Sequence, residues 1–133
     1  MKIKQQNPEK IREGQEKLAE LKKIRGSVFG MHNRVANDPR LLQAFIDQFN
    51  CCNVDMKHIP YKYREMIVMA IGAARGVQTT MMVHAENAIK AGATVEEIGE
   101  VLRILFFTCG VTTLIPASEI FEEIPEMEEE TED

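Results

Sequence analysis

The sequence lacks most of the features that mark specialised chains. Its three cysteines, Cys51, Cys52 and Cys109, are odd in number and lack the spacing of a disulfide framework. That excludes a disulfide-stapled scaffold and fits a reducing compartment where thiols stay free. No apolar run approaches the roughly 18 residues that a membrane-spanning helix requires. The start MKIKQQNPEKIREGQ holds no apolar stretch resembling a signal peptide, so a cytoplasmic protein with no membrane partner is expected. There is no Cys-x-x-Cys and no Gly-rich phosphate loop. His32, His58 and His84 do not have metal-ligand spacing, and neither a metal nor a cofactor is expected. No segment alternates convincingly with period two, although VTTLI is rich in β-branched residues.

What remains is an ordinary soluble composition on one domain's length of chain. The 133 residues are 44% apolar and 28% charged, with a net charge of −5, which excludes wholesale disorder and fibrous repeats. The charge is uneven. Residues 1 to 25 carry eight Lys/Arg and four Asp/Glu, whereas residues 122 to 133 carry eight acidic residues and no basic one. The end PEMEEETED repels itself and has no apolar periodicity, so residues 125–133 are expected to be an acidic, disordered tail behind one domain spanning 1–124.

Helical start and stop signals recur along that domain. Asn7 caps a helix opening at Pro8, with Ile11, Leu18, Leu21 and Ile24 on one face until Gly26. Asp38 and Pro39 repeat the signal before the stripe Leu41, Leu42, Phe45, Ile46 and Phe49. Pro60 opens a third helix, in which MIVMAIGAA has no polar side chain on any face and reads as buried and central. A fourth runs from about Gln78 to Ala91 and stops at Gly92. The Thr94-x-x-Glu97 capping box opens a fifth through Ile98, Val101, Leu102, Leu105 and Phe106, ending near Gly110. A short last helix is expected from Pro116. The prediction is an all-α fold of about six helices.

One stretch is more specific. From Tyr63, YREMIVMAIGAARGVQTTMMVHAENAIKAGATVEEIGEVLRI resembles the carboxymuconolactone decarboxylase and alkylhydroperoxidase D-like family, over roughly residues 60–107. The part AIKAGATVEEIGEVL is the most family-like, and the N-terminal helices match only in being helical. The resemblance implies an alkylhydroperoxidase D-like helical domain that assembles as a homo-oligomer, a trimer or a hexamer. In the peroxidase branch it also implies Cys-x-x-Cys-x-x-x-His, with a glutamate of a proton relay twelve positions before the first cysteine. His84 and Glu65 match that histidine and glutamate, but the cysteine positions hold Val77 and Thr80. Neither can supply the thiolate that peroxide reduction needs. In the decarboxylase branch the resemblance implies CO2 removal from a carboxylated butenolide by proton transfer, without metal or cofactor. The Gly-x-Pro-like run expected after the last long helix is here Cys109-Gly110-Val111-Thr112-Thr113, so the lactone itself does not carry over.

The surviving pair suits acid–base work. Spacings of three and four put Val77, Thr80, His84 and Ala88 on one helix face that is small and half polar, with room for a ligand lined by Thr80 and Val77. Counting from a reversal at Gly76, Glu65 lies about eleven residues before and His84 about eight after, which is roughly 16 and 12 Å along antiparallel helices. A hydrogen bond between them, direct or through water, is expected. Against this stands the reading of Glu65, beside Lys62 and Arg64, as a solvated surface charge.

Other chemistry is weaker. Adjacent Cys51 and Cys52 would close a small strained ring and point about 100° apart on a helix, and Cys109 reads as an ordinary buried cysteine. Met66, Met69, Met81 and Met82 read as core. AENAIKAGATVEEIGEVLRI superficially suggests a nucleic-acid-binding helix pair, but Glu96, Glu97 and Glu100 would be repelled by phosphate, so no nucleic-acid partner is expected. Three functions therefore stand open. The first is a cofactor-independent lyase or isomerase acting on a small organic acid, with His84 as general acid/base and Glu65 orienting it. The others are a thiol oxidoreductase with relocated cysteine chemistry and a non-catalytic oligomeric binding protein.

Overall fold

Local capping decides where the helices begin. In the computed structural model, which describes residues 1–126, the Asn7 side chain accepts from the Glu9 amide and α1 runs Pro8–Arg25. Asp38 accepts from the amides of Arg40 and Leu41 at the head of α3, Pro39–Phe49. Between them lies α2, Gly30–Val35, a helix that the sequence signals do not mark. Its cap is unusual: the amide of the N-cap residue Phe29 donates to His32 Nδ1 at 2.8 Å, so a histidine at the third helical position does what the Glu or Gln of a capping box usually does. A π-helical turn, Asn50–Val54, continues α3 and carries Cys51 and Cys52, both free and exposed.

These helices form the first of two units, Met1–Lys57. Leu21, Leu42 and Ile46 are its buried centre, with Leu18, Ile24, Val35, Ala36 and Phe45 packed around them. Gly14 is needed where α1 passes the end of α2, because a Cβ there would lie 2.5 Å from the Ala36 carbonyl oxygen.

The second unit begins at His58 and holds α4 Tyr61–Ala74, α5 Gln78–Lys90, α6 Val95–Cys109 and α7 Val111–Ala117, followed by a 3-10 turn, Ser118–Ile120. Helices α4 and α5 form an antiparallel pair that reverses at Gly76, whose φ of 71° is a left-handed value that glycine adopts without strain. The two approach closely at Gly72, where a Cβ would meet the Met81 amide nitrogen at 2.8 Å. The core is Met66, Met69, Ala73, Met81, Ala85, Ala88, Ile98, Leu102 and Leu105, closed by Ala117. The Thr94–Glu97 capping box forms as the sequence predicts, with Glu97 N donating to Thr94 Oγ1 at 3.1 Å and Thr94 N to Glu97 Oε2 at 2.9 Å.

Among the described residues there is no strand, and the all-α reading holds with seven α-helices where about six are expected. Four details differ. Pro116 lies inside α7 instead of opening it, because α7 starts directly after Gly110, where the chain leaves α6 with φ of 85°. Helix α4 is not buried on every face, since Ile67 and Ile71 are exposed. Cys109, at the last position of α6, is exposed, and Met82 is also more exposed than a core residue. Most of the acidic tail lies outside the described residues. No helix among those described is long and apolar enough to cross a membrane.

Candidate functional site

Helix α4 buries one stripe: Glu65, Met66, Met69, Gly72 and Ala73. These spacings of three and four define a single face, so Glu65 is carried into the interior by the register that buries the methionines. It is only 1% exposed, which overturns its reading as a solvated surface charge. Helix α5 buries Met81, Ala85 and Ala88, and His84 flanks that stripe at i+3 from Met81 and i−4 from Ala88. The antiparallel pairing of α4 and α5 then sets the two functional candidates side by side.

Four side chains meet there. Glu65 Oε2 is hydrogen-bonded directly to His84 Nδ1, with no need of an intervening water. Asn87, one turn further along α5, offers Nδ2 to the same oxygen at 3.5 Å. Arg64 donates from Nη2 to the other oxygen, Oε1, at 2.7 Å. Burial pushes the Glu65 carboxyl up, but hydrogen bonds from His84 and Arg64, together with their charges, outweigh it and hold the group below the usual carboxylate range. An ionised carboxylate can only accept, so Nδ1 of His84 carries the hydrogen of the shared bond. Nε2 is then the nitrogen available to give or take a proton. The His84 side chain keeps 22% of its surface exposed while Glu65 keeps 1%, so the imidazole is the accessible partner.

Thr80 and Val77 take different parts. Thr80 is partly buried and presents its Cβ and methyl to Gly72 across the α4/α5 contact. Val77 is the exposed residue preceding α5, and its amide donates to the Gly72 carbonyl at 2.9 Å. Neither is hydrogen-bonded through its side chain to the Glu65–His84 pair, whose described partners are Arg64 and Asn87. No cysteine is among them. Two surface clefts lie elsewhere, one lined by Gln5, Gly14, Leu18 and Asn37 in the first unit and one by Glu100, Arg103, Ile104 and Phe107 on α6.

Sequence reasoning passed over Arg64 and Asn87. Asn87 lies at i+3 from His84, a spacing that signals the same helix face. For Arg64 no such signal exists, because neighbouring helical residues point about 100° apart. The remaining histidines have other surroundings. His32 is buried against Phe29, with ring centroids 5.8 Å apart, and against the edge of Phe45 at 5.0 Å; burial and the nearby Arg25 charge lower its pKa. Among the described residues no three His, Cys, Asp or Glu side chains are grouped to hold a metal ion.

The family model described as the carboxymuconolactone decarboxylase family matches residues 40–123, well over half of the chain. The chain belongs to that family. The match begins inside α3 and runs past α7, so it takes in more than the resemblance at residues 60–107. No match was found among curated proteins or among solved structures.

Proposed function

We propose that this carboxymuconolactone decarboxylase-family protein is a cofactor-independent acid–base enzyme, lyase- or isomerase-like, acting on a small organic acid. The carrying observation is the direct pairing of buried Glu65 with the accessible His84. Glu65 orients the ring through Nδ1 and balances the imidazolium that forms when Nε2 takes a proton from substrate. His84 then returns that proton to another atom of the same molecule, or to the carbanion left by loss of CO2. Positioned proton transfer of this kind contributes about 10²- to 10⁴-fold. Thr80 and Val77, on the same side of α5, would line the substrate position.

Assembly as a homo-oligomer, trimer or hexamer, belongs to the same reading. Ile67 and Ile71 on α4, Ile89 on α5, Ile104 and Phe107 on α6, and Val111 and Ile115 on α7 are all exposed in the single chain. Clusters of such side chains are usually covered by a partner. A reducing, cytoplasmic setting suits the three free thiols.

The test is a panel of small carboxylates, including carboxylated lactones, incubated in D2O and followed by NMR for proton exchange, isomerisation and CO2 loss. The reading predicts turnover of at least one compound, reduced about 100-fold or more in His84→Gln. Turnover retained in His84→Gln, or hydroperoxide reduction abolished by thiol alkylation, would contradict it. The second result would favour thiol chemistry at the exposed Cys51, Cys52 or Cys109.

A further inference from the structure

Arg64 and Glu65 are sequence neighbours, and neighbouring helical side chains diverge by about 100°. Helical ion pairs ordinarily form between residues three or four apart. Here the Arg64 side chain folds back all the same. Its guanidinium carbon lies 5.0 Å from the centre of the Tyr61 ring, one turn earlier on α4, and Nη2 reaches Glu65 Oε1 at 2.7 Å. The side chain is 19% exposed, an unusually low value for arginine. The two carboxylate oxygens are thereby divided: Oε1 faces the guanidinium, and Oε2 faces His84 and Asn87.

From this division we infer that Arg64 is a positioning residue of the acid–base pair: seated on the Tyr61 ring, it fixes the Glu65 carboxylate with Oε2 toward His84 and draws off part of the charge that would otherwise hold the imidazolium proton. A buried carboxylate facing one imidazole would bind the second ring proton tightly and leave a poor acid. Sharing that carboxylate with a permanent cation weakens its hold on that proton.

The neighbouring charges are engaged elsewhere. On α4, Lys62 pairs with Glu97 of α6 at 2.8 Å. On α5, Glu86 pairs with Lys90 at 2.5 Å. On α6, Glu100 lies 3.6 Å from Arg103, and Glu96 is exposed. Helix α7, which packs on both α4 and α5, has no charged residue in VTTLIPA. Among the described residues, Arg64 is thus the permanent cation seen hydrogen-bonded to Glu65.

The inference extends the acid–base reading, but its test needs no substrate, so the two can fail separately. The pH titration of the His84 ring is followed by NMR in the full-length protein and in Arg64→Met, Arg64→Lys and Tyr61→Leu. In Arg64→Met the midpoint should rise by about half a unit or more, about a threefold tighter hold on the proton. Arg64→Lys should return it most of the way, and Tyr61→Leu, which loosens the seat and keeps every charge, should move it upward by less. An unchanged or lowered midpoint in Arg64→Met would overturn the inference and reduce Arg64 to a structural cover. Should Arg64→Met fail to fold, Tyr61→Leu decides in its place: an upward shift supports the inference and no shift overturns it.

Discussion

Two buried ionisable residues respond to pH in different ranges. Glu65 has a folded-state pKa below its ordinary value, so its stabilisation is fully present above the unfolded value of about 4.3 and is lost as pH falls through the lower folded value. Urea unfolding between pH 6 and pH 3 should therefore show an acid loss in the wild type that is smaller in Glu65→Gln. At neutral pH that substitution should cost about 2 kcal/mol, because it leaves Arg64 without its charged partner in a partly buried position. His32, by contrast, is held neutral, as its Nδ1 must accept from the Phe29 amide. Its pKa is lowered, so the unfolded state binds the extra proton first and stability falls as pH drops below about 6.5. His32→Asn places an acceptor oxygen near the position of Nδ1 and should remove that fall while keeping the cap. At this scale the family resemblance pointed to His84 and Glu65 as candidates, whose contact the structure shows, and left Arg64 and His32 hidden. Their contacts depend on a folded-back guanidinium and on an imidazole that accepts from a helix-capping amide, and neither has a periodic signature.

Among the elements, the α4/α5 pair carries the candidate site and its spacing depends on glycine. Gly72→Ala gains up to about 1 kcal/mol of helix propensity. It also forces a Cβ against the Met81 backbone nitrogen, which side-chain rotation cannot relieve. The net effect should be a loss of about 1–3 kcal/mol in urea unfolding, with lowered turnover because His84 moves with α5. The helix starts at Pro8, Pro39 and Thr94 were legible because caps and prolines act locally. Helix α2 was not, since its N-cap is Phe29 and the side chain that reaches back to it is His32, and α7 was misplaced because Pro116 resembles a start signal although it lies one residue from the helix end.

For the molecule as a whole, the sequence signals covered the all-α class and the family, because apolar periodicity and the AIKAGATVEEIGEVL stretch both survive without tertiary context. They missed how much apolar surface the chain leaves outside. Helix α4 reads as wholly buried, yet Ile67 and Ile71 are open, and Phe107 on α6 is 91% exposed. Sedimentation should show an oligomer, and charged substitutions such as Phe107→Asp with Ile104→Asp should shift it toward monomer if that face is covered by another copy. Whatever the assembly, the proposed chemistry rests on one shared hydrogen. The most direct test is the 15N and 1H spectrum of the neutral His84 ring. The account predicts the proton on Nδ1, shifted strongly downfield by the Glu65 carboxylate, and loss of that shift in Glu65→Gln. A ring protonated on Nε2, or a spectrum indifferent to Glu65→Gln, would contradict it.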